Sequence, residues 1–284
     1  MGIHPTAIVD PSAELHPDVE VGPYCRIGAG CMLEEGNVLM QGAVLGPNTQ
    51  AGRGNVFHHY SLVGGDPQYL GFDPATRSGT IIGEGNHFRE YSQVHRGLKD
   101  GGNTVLGDRN FIMATAHIAH DCVFGDENVM ANYSGVAGHV VVGRGCFISG
   151  HVGVHQFCRI GDLAMVGGSG KVPKDVPPFM ILKHYGLIVG VNVVGLRRAG
   201  VGPETRLALK DAYREIFRSG KSLPSALETI RREWHGRTMP AELHQLISFC
   251  DTPSKRGLSH GPRVANGEDN AGGAEPEEGH DQTF

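Results

Sequence analysis

The sequence predicts a mainly β protein: a parallel β-helix wound from six-residue repeats, followed by a small α-helical C-terminal domain. Three observations predict it. Aliphatic residues recur at every sixth position over most of the chain, small residues sit two places before them, and after Pro203 the spacing becomes helical. Composition agrees, with 43 glycines among 284 residues and only 7% aromatics. That balance suits a chain that turns often and packs small and aliphatic side chains in layers.

Counting in sixes from Ile3 gives Val9, Leu15, Val21, Ile27, Leu33, Leu39, Leu45, Ala51, Phe57 and Val63, none of them polar. The register resumes at Ile82, Phe88 and Val94, and again from Leu106 through Ile112 and Ile118 to Val172. Two residues earlier the side chain is usually small, as at Ala7, Cys25, Cys31, Ala43, Ser92, Ala116, Cys122, Ser134, Cys146 and Cys158. In extended chain, residues two apart face the same side, so each hexad aims one small and one aliphatic side chain inward. Three hexads close one triangular coil of eighteen residues. Glycine often follows the aliphatic position (Gly22, Gly28, Gly46, Gly107, Gly125), where a turn with positive φ is expected. The pattern does not fix handedness. Proteins with this hexapeptide signature form left-handed parallel β-helices, an exception to the right-handed crossover rule, and that is the expected fold.

The β-helix is assigned to residues 1–190, with loops pushed out at 64–80 and 96–104. Residues 191–250 form the helical domain, with helices expected at 203–219, 222–235 and 240–250; Pro203 suits a first helical position and Gly220 a helix end. Residues 251–284 are read as a disordered tail, rich in Gly and acidic residues from 257 onward. On the first helix Arg206, Lys210, Arg214 and Arg218 recur every four residues, giving one basic stripe. It is either a solvated face or a dock for an acidic partner.

A net charge of −5 gives no sign of a nucleic-acid surface, and no apolar run reaches the roughly 20 residues that span a bilayer. The N-terminus lacks the basic start and apolar stretch of a secretion signal. Six cysteines without a CxxC pair, five of them in the small inward slot, read as core residues of a cytoplasmic protein. No cofactor and no stable membrane insertion are expected.

The chemistry is expected among the histidines, of which there are sixteen. Adding eighteen to His120 gives Gly138, and eighteen more gives Gln156, so these three stack in one column about 4.8 Å apart. His139 lies one residue along, and His117 and His155 flank the same turns; all lie outside the inward slots. Asp121 follows His120 and can fix its tautomer. A backbone N–H at Gly138 can hold an oxyanion. No Ser or Cys is placed as a nucleophile, so His120 is read as a general base for direct transfer. Two other classes stay open: a zinc site of three histidines shared across subunits, as in carbonic-anhydrase-like hexapeptide proteins, and a non-catalytic scaffold.

The run Ala116-His117-Ile118-Ala119-His120-Asp121-Cys122, with Ala137-Gly138-His139 and Val154-His155-Gln156-Phe157-Cys158, closely resembles the bacterial UDP-N-acetylglucosamine acyltransferases. The likeness runs from about residue 3 to 250 and takes in His95-Arg96-Gly97, Asp175-Val176-Pro177-Pro178 and Gly190-Val191-Asn192. It implies transfer of a 3-hydroxyacyl chain from acyl carrier protein to the 3-hydroxyl of UDP-N-acetylglucosamine, the opening step of lipid A biosynthesis, by a homotrimer with sites between subunits. His120 matches the base, Asp121 its partner and Gly138 the oxyanion donor. Gln68, His95, His117, His139, His155 and Gln156 match residues around the substrates, Asn192 and Arg198 match contacts near the nucleotide, and Gly168 matches the position gating acyl-chain length. The basic stripe would receive the acidic carrier protein. The sequence departs from the family pattern at Gln68-Tyr69-Leu70-Gly71, where Gln-Asp-x-Lys is usual, at Lys183-His184-Tyr185, at Val194 and at Ala199. These differences touch the sugar and nucleotide side, so N-acylation of a UDP-3-amino sugar, or of another nucleotide sugar, is the alternative.

Overall fold

A computed structural model describes residues 2–262. Short parallel strands, mostly two residues long, form three sheets of nine, eight and ten strands that make the faces of a prism. Successive strands visit the faces in turn, so each pairs with the strand three places on. On the first face Ile118 lies beside Val136, and Val136 beside Val154. The aliphatic positions from Val21 to Val172 are all buried, none above 4% exposed. Ile3 is 54% exposed because the first coil has no coil beneath it.

The small slot is not always small. On one column it holds Asn37, Asn55, Asn86, Asn110 and Asn128, all fully buried. Each side-chain oxygen accepts the backbone N–H of the next asparagine, at 3.1, 2.8, 2.8 and 2.9 Å, and Asn128 accepts from Cys146 N at 2.8 Å. A buried amide is tolerated here because both its ends are paired.

Of the glycines after the aliphatic residue, Gly22, Gly28, Gly46, Gly107 and Gly125 do not take positive φ, whereas Gly64 does. That conformation falls two residues later, at Tyr24, Asn48, Tyr60, Asp121, Tyr133, His139 and Phe157 among others. The glycines are needed instead for close approach between coils: a Cβ on Gly46 would lie 1.8 Å from Gly64 O, and one on Gly107 2.2 Å from Asp126 Oδ1.

A hairpin of Met180–Lys183 and Leu187–Val191 ends the third sheet. Four helices follow: α1 (Val193–Arg198), α2 (Pro203–Arg218), α3 (Leu223–Glu233) and α4 (Ala241–Asp251). Pro203 begins α2, and Gly220 beyond its end has φ 77°. The short α1 is not foreseen by the sequence pattern. Asn192 caps it: its Oδ1 accepts Gly195 N–H at 3.0 Å, and its Nδ2 donates to Leu163 O at 2.8 Å. The helices share one apolar core with the prism. Arg159 fastens the two, with its Nε 2.6 Å from the buried Asp175 Oδ2 and its guanidinium 4.5 Å over the Phe249 ring.

The tail assignment needs correction over 251–262. Asp251 ends α4, and the chain then returns to the prism. Asp175 N donates to Gly257 O and Ser259 N to Asp175 O, both at 2.9 Å, while Ile188 N donates to His260 O at 2.9 Å. Low apolar content hid this pairing, which is made by backbone. The remainder of the proposed tail, 263–284, lies outside the described residues.

Candidate active site

The winding brings His120, Gly138 and Gln156 into one corner column. His139 N donates to His120 O at 3.1 Å, and Phe157 N to Gly138 O at 3.3 Å. The imidazole of His120 lies over Gly138 so closely that a Cβ there would fall 2.5 Å from Cε1 and 2.7 Å from Nε2. Gly138 is therefore glycine to admit the ring. Its N–H makes no hydrogen bond with the described residues.

His120 Nδ1 stands 2.8 Å from Asp121 Oδ2. A carboxylate only accepts, so Nδ1 carries the proton and Nε2 presents a lone pair. Asp121 has φ 57°, a conformation that Asp tolerates better than most residues. It is held there from the second loop: Leu98 N donates to its Oδ2 at 3.2 Å, and its own N–H donates to Thr104 Oγ1 at 2.8 Å. The 96–104 excursion thus fixes the carboxylate that orients the base.

Two further histidines sit below. His95 is buried, with Nδ1 2.5 Å from Asp66 O, so Nδ1 donates and Nε2 is a buried acceptor with no partner among the described residues. Burial, then the neighbouring His95, lowers the proton affinity of His117 to a pKa of about 4. Burial also lowers that of His95, against the pull of the Asp66 carbonyl. Both are neutral near pH 7. His139 meets His120 edge-on at 5.1 Å and stacks on Phe157 at 4.8 Å; burial lowers its pKa as well.

The column opens onto a cavity of about 600 Å³ lined by Gln68, His117, His120, Gly138, His155 and Gln156, among others. Its floor is the first face, where His117, Gly135, Gly153 and Lys171 follow one another outward on successive strands. Gly135, Gly153 and Lys171 are absent from the sequence-derived site. The signal was the pair of glycines just before Val136 and Val154, outward positions that elsewhere carry side chains. A cavity of about 630 Å³ on the second face, beside Glu14, Glu34 and Arg53, holds no imidazole hydrogen-bonded to a carboxylate.

Other expected residues lie elsewhere on the chain. Gly168 sits at the opposite corner of the first face and does not line the cavity; Asn192 caps α1; Arg198 is exposed at the end of α1. Arg96 is a residue whose weight the motif did not reveal. It is 2% exposed and gathers the first loop, with Nε 2.9 Å from Asp66 Oδ1 and its other nitrogens donating to Thr76 O and Pro74 O at 2.6 and 3.0 Å. On α2 the basic stripe is uneven: Arg206 donates to Val201 O and Arg214 pairs with Asp211 at 2.7 Å, while Lys210 and Arg218 are exposed.

Burial raises the thiols of Cys122 and Cys146 to pKa values of about 12. They stay protonated core groups and supply no thiolate nucleophile. What remains is an oriented imidazole, a free backbone amide and an adjoining apolar trough. That fold and site define a left-handed parallel β-helix acyltransferase.

Residues 175–259 match the family model described as UDP N-acetylglucosamine O-acyltransferase, domain 2. The chain is 44% identical over 204 residues to the acyl-carrier-protein–UDP-N-acetylglucosamine O-acyltransferase of Alkalilimnicola ehrlichii, covering 70% of this chain and 76% of that one. The crystal structure of the UDP-N-acetylglucosamine O-acyltransferase from Moraxella catarrhalis superposes with a TM-score of 0.83 at 37% identity, covering 92% and 100% of the two chains. That of the Bacteroides fragilis enzyme gives 0.85 at 30% identity, covering 90% and 99%. The chain belongs to the acyl-carrier-protein–UDP-N-acetylglucosamine O-acyltransferase family.

Proposed function

We propose that the protein transfers a 3-hydroxyacyl chain from acyl carrier protein to the 3-hydroxyl of UDP-N-acetylglucosamine, the first step of lipid A biosynthesis. The carrying observation is the His120–Asp121 pair beside the unpaired Gly138 amide at the mouth of the trough. His120 Nε2 takes the proton of the acceptor hydroxyl as its oxygen attacks the thioester carbonyl. Asp121 stabilises the imidazolium, and the Gly138 N–H donates to the developing oxyanion. Collapse of the tetrahedral intermediate expels the carrier thiolate, which takes the proton back from His120. His95, its ring centroid 4.8 Å from that of the cavity-lining His117, is assigned to the acceptor-sugar side of the site. Gln68, His117, His155 and Gln156 line the trough and His139 stands edge-on to His120, so these are assigned to the substrates, and Gly168 stands at the far corner of the same face.

In this reading the chain works in the cytoplasm as a homotrimer, with Asn192 and Arg198 reaching a neighbour's nucleotide. The third face supports association. Its outward column carries Val38, Val56, His87, Phe111, Val129, Phe147 and Met165, and the adjoining corner exposes Tyr24, Tyr60, Tyr91 and Tyr133. So many apolar side chains along one face, broken only by His87 between Val38 and Met165, favour a partner on it. Lys210 and Arg218 offer the carrier protein its positive surface.

The test is mass detection of acylated product from a panel of acyl-carrier thioesters with UDP-N-acetylglucosamine and its 3-amino analogue. Transfer to the 3-hydroxyl that falls by about 10²–10⁴-fold in His120→Ala is expected. A His120→Ala protein within a fewfold of the parent overturns the mechanism, and product from the amino sugar alone overturns the acceptor.

A further inference from the structure

Beyond α4 the returning chain brings one cation to the catalytic corner. Ser254 Oγ accepts Arg256 N–H at 3.1 Å and Gly257 N–H at 3.2 Å, and Arg256 Nε donates to Pro173 O at 3.0 Å. With the bond from Asp175 N to Gly257 O, these fix the backbone around Lys255. The Lys255 side chain is exposed, and its Nζ stands 4.3 Å from the centroid of the Phe157 ring. Among the described residues no carboxylate lies within ion-pair distance of it. The ring face attracts the cation instead. Phe157 in turn stacks on His139, centroids 4.8 Å apart and planes 6° apart, and His139 meets His120 edge-on at 5.1 Å and 88°. Phe157 and His139 share one backbone conformation on successive coils, with φ of 65° and 61°, which sets their rings in register.

The place of His139 matters because it competes for the carboxylate that orients the base. Its Nε2 is 3.9 Å from Asp121 Oδ2, the same oxygen that accepts His120 Nδ1–H at 2.8 Å. A protonated His139 would be drawn across that gap and would take Asp121 from His120. Burial does most to lower the pKa of His139. Asp121 pulls the other way, and His120, Lys255 and Lys99 add to the lowering. Asp121 and His120 belong to the site itself, and Lys99 stands exposed on the 96–104 excursion. Lys255 alone of the four comes from beyond the helices.

We propose that Lys255 is a positioning residue that acts through Phe157, holding His139 edge-on to His120 and off the carboxylate that orients the base. The inference rests on His120 acting as the base proposed above. The cation closes the outer face of the stack, and its charge disfavours a second cation on the imidazole. Asp121 thereby stays with His120 as the pH falls.

The experiment compares the full chain, Lys255→Met and Lys255→Arg in two measurements. One follows the His139 Cε1–H signal across pH by NMR at low ionic strength, assigned by its loss in His139→Asn. The other takes kcat and KM for both substrates below and above the usual histidine value of 6.5. The centroid distances put the ammonium within about 9 Å of the imidazole, where a unit charge moves a titration by about 0.3 pH unit even in water. Lys255→Met should move the His139 midpoint upward by about that much or more. It should lower kcat by about twofold or more, most strongly below pH 6.5, with both KM values near the parental ones. Lys255→Arg, which keeps the charge and stacks on the ring, should match the parent. An unmoved midpoint in Lys255→Met, or the same upward move in Lys255→Arg, overturns the proposal. So does a raised KM with the midpoint unmoved, which would make Lys255 a direct substrate contact. Because the titration needs no turnover, a parent protein inactive with every thioester sinks the acyl-transfer reading alone.

Discussion

Substituting Gly138 by alanine tests the corner most directly. The added methyl would lie 2.5 Å from His120 Cε1, 2.7 Å from Nε2 and 3.0 Å from Nδ1. Ordinary non-bonded contacts begin near about 3.5 Å, so the ring must withdraw by about 1 Å. Its Nδ1 is 2.8 Å from Asp121 Oδ2, and Asp121 is itself held by Leu98 N–H, so the pair cannot follow as a unit. The base leaves its orienter or turns away from the cavity. A displacement of this size costs about 10²-fold in turnover, or roughly 2.7 kcal/mol in the barrier. The fold should survive. Gly138 does not have positive φ, so alanine is compatible with its backbone, and the methyl displaces a partly solvent-facing ring rather than a core residue. Overpacking of about 1–3 kcal/mol is partly offset by about 0.4–1 kcal/mol from a less flexible unfolded chain. The assay is steady-state turnover of a saturating thioester, with a thermal melt of the same preparation. Turnover within fivefold of the parent, in a protein melting within a few degrees of it, would show that the ring does not work from its position over Gly138.

Arg96→Met should leave the carbonyls of Pro74 and Thr76 without their donor, loosening the first loop; faster proteolytic nicking between residues 66 and 78 and a higher KM for the nucleotide sugar are expected, with the melt of the prism little changed. Lys210→Glu with Arg218→Glu should raise KM for the carrier-bound donor several-fold and flatten its dependence on salt, while kcat stays near the parental value, read by kinetics at two ionic strengths. Stability should fall on acidification: His117 and His95 bind protons less readily folded than unfolded, so their contribution is complete above the usual histidine value of 6.5 and is lost as pH drops below it, for His117 down to about 4. Urea titrations across that window check it, and His117→Asn should flatten the slope.

The winding and the His120–Gly138 stack were legible because both follow from counting. A period of six fixes which side chains point in, and eighteen residues later the chain stands one layer above itself. Local conformation was less legible. The glycines after each aliphatic residue suggested positive φ, yet Asp121, His139 and Phe157 take that role. The glycines answer to neighbouring coils, which a single hexad does not display. The trough was hidden for a related reason: attention to inward residues passes over Gly135 and Gly153, whose meaning lies in what they leave uncovered. Backbone partners were invisible altogether. Leu98 N–H on Asp121 and Gly257 O on Asp175 N depend on carbonyl and amide groups that every residue shares.

The buried asparagine column has one more consequence. Its steps are eighteen residues from Asn37 to Asn55 and from Asn110 to Asn128, but 31 from Asn55 to Asn86 and 24 from Asn86 to Asn110. Those two long steps are where the excursions leave the prism. The amides therefore act as indexing pins: however far the chain wanders outside, it must re-enter at the same notch to satisfy them. Loop length is thereby uncoupled from the register of the coils. The first excursion can lengthen or shorten and the imidazole will still arrive one storey below its amide, whereas the second also carries the contacts that hold Asp121.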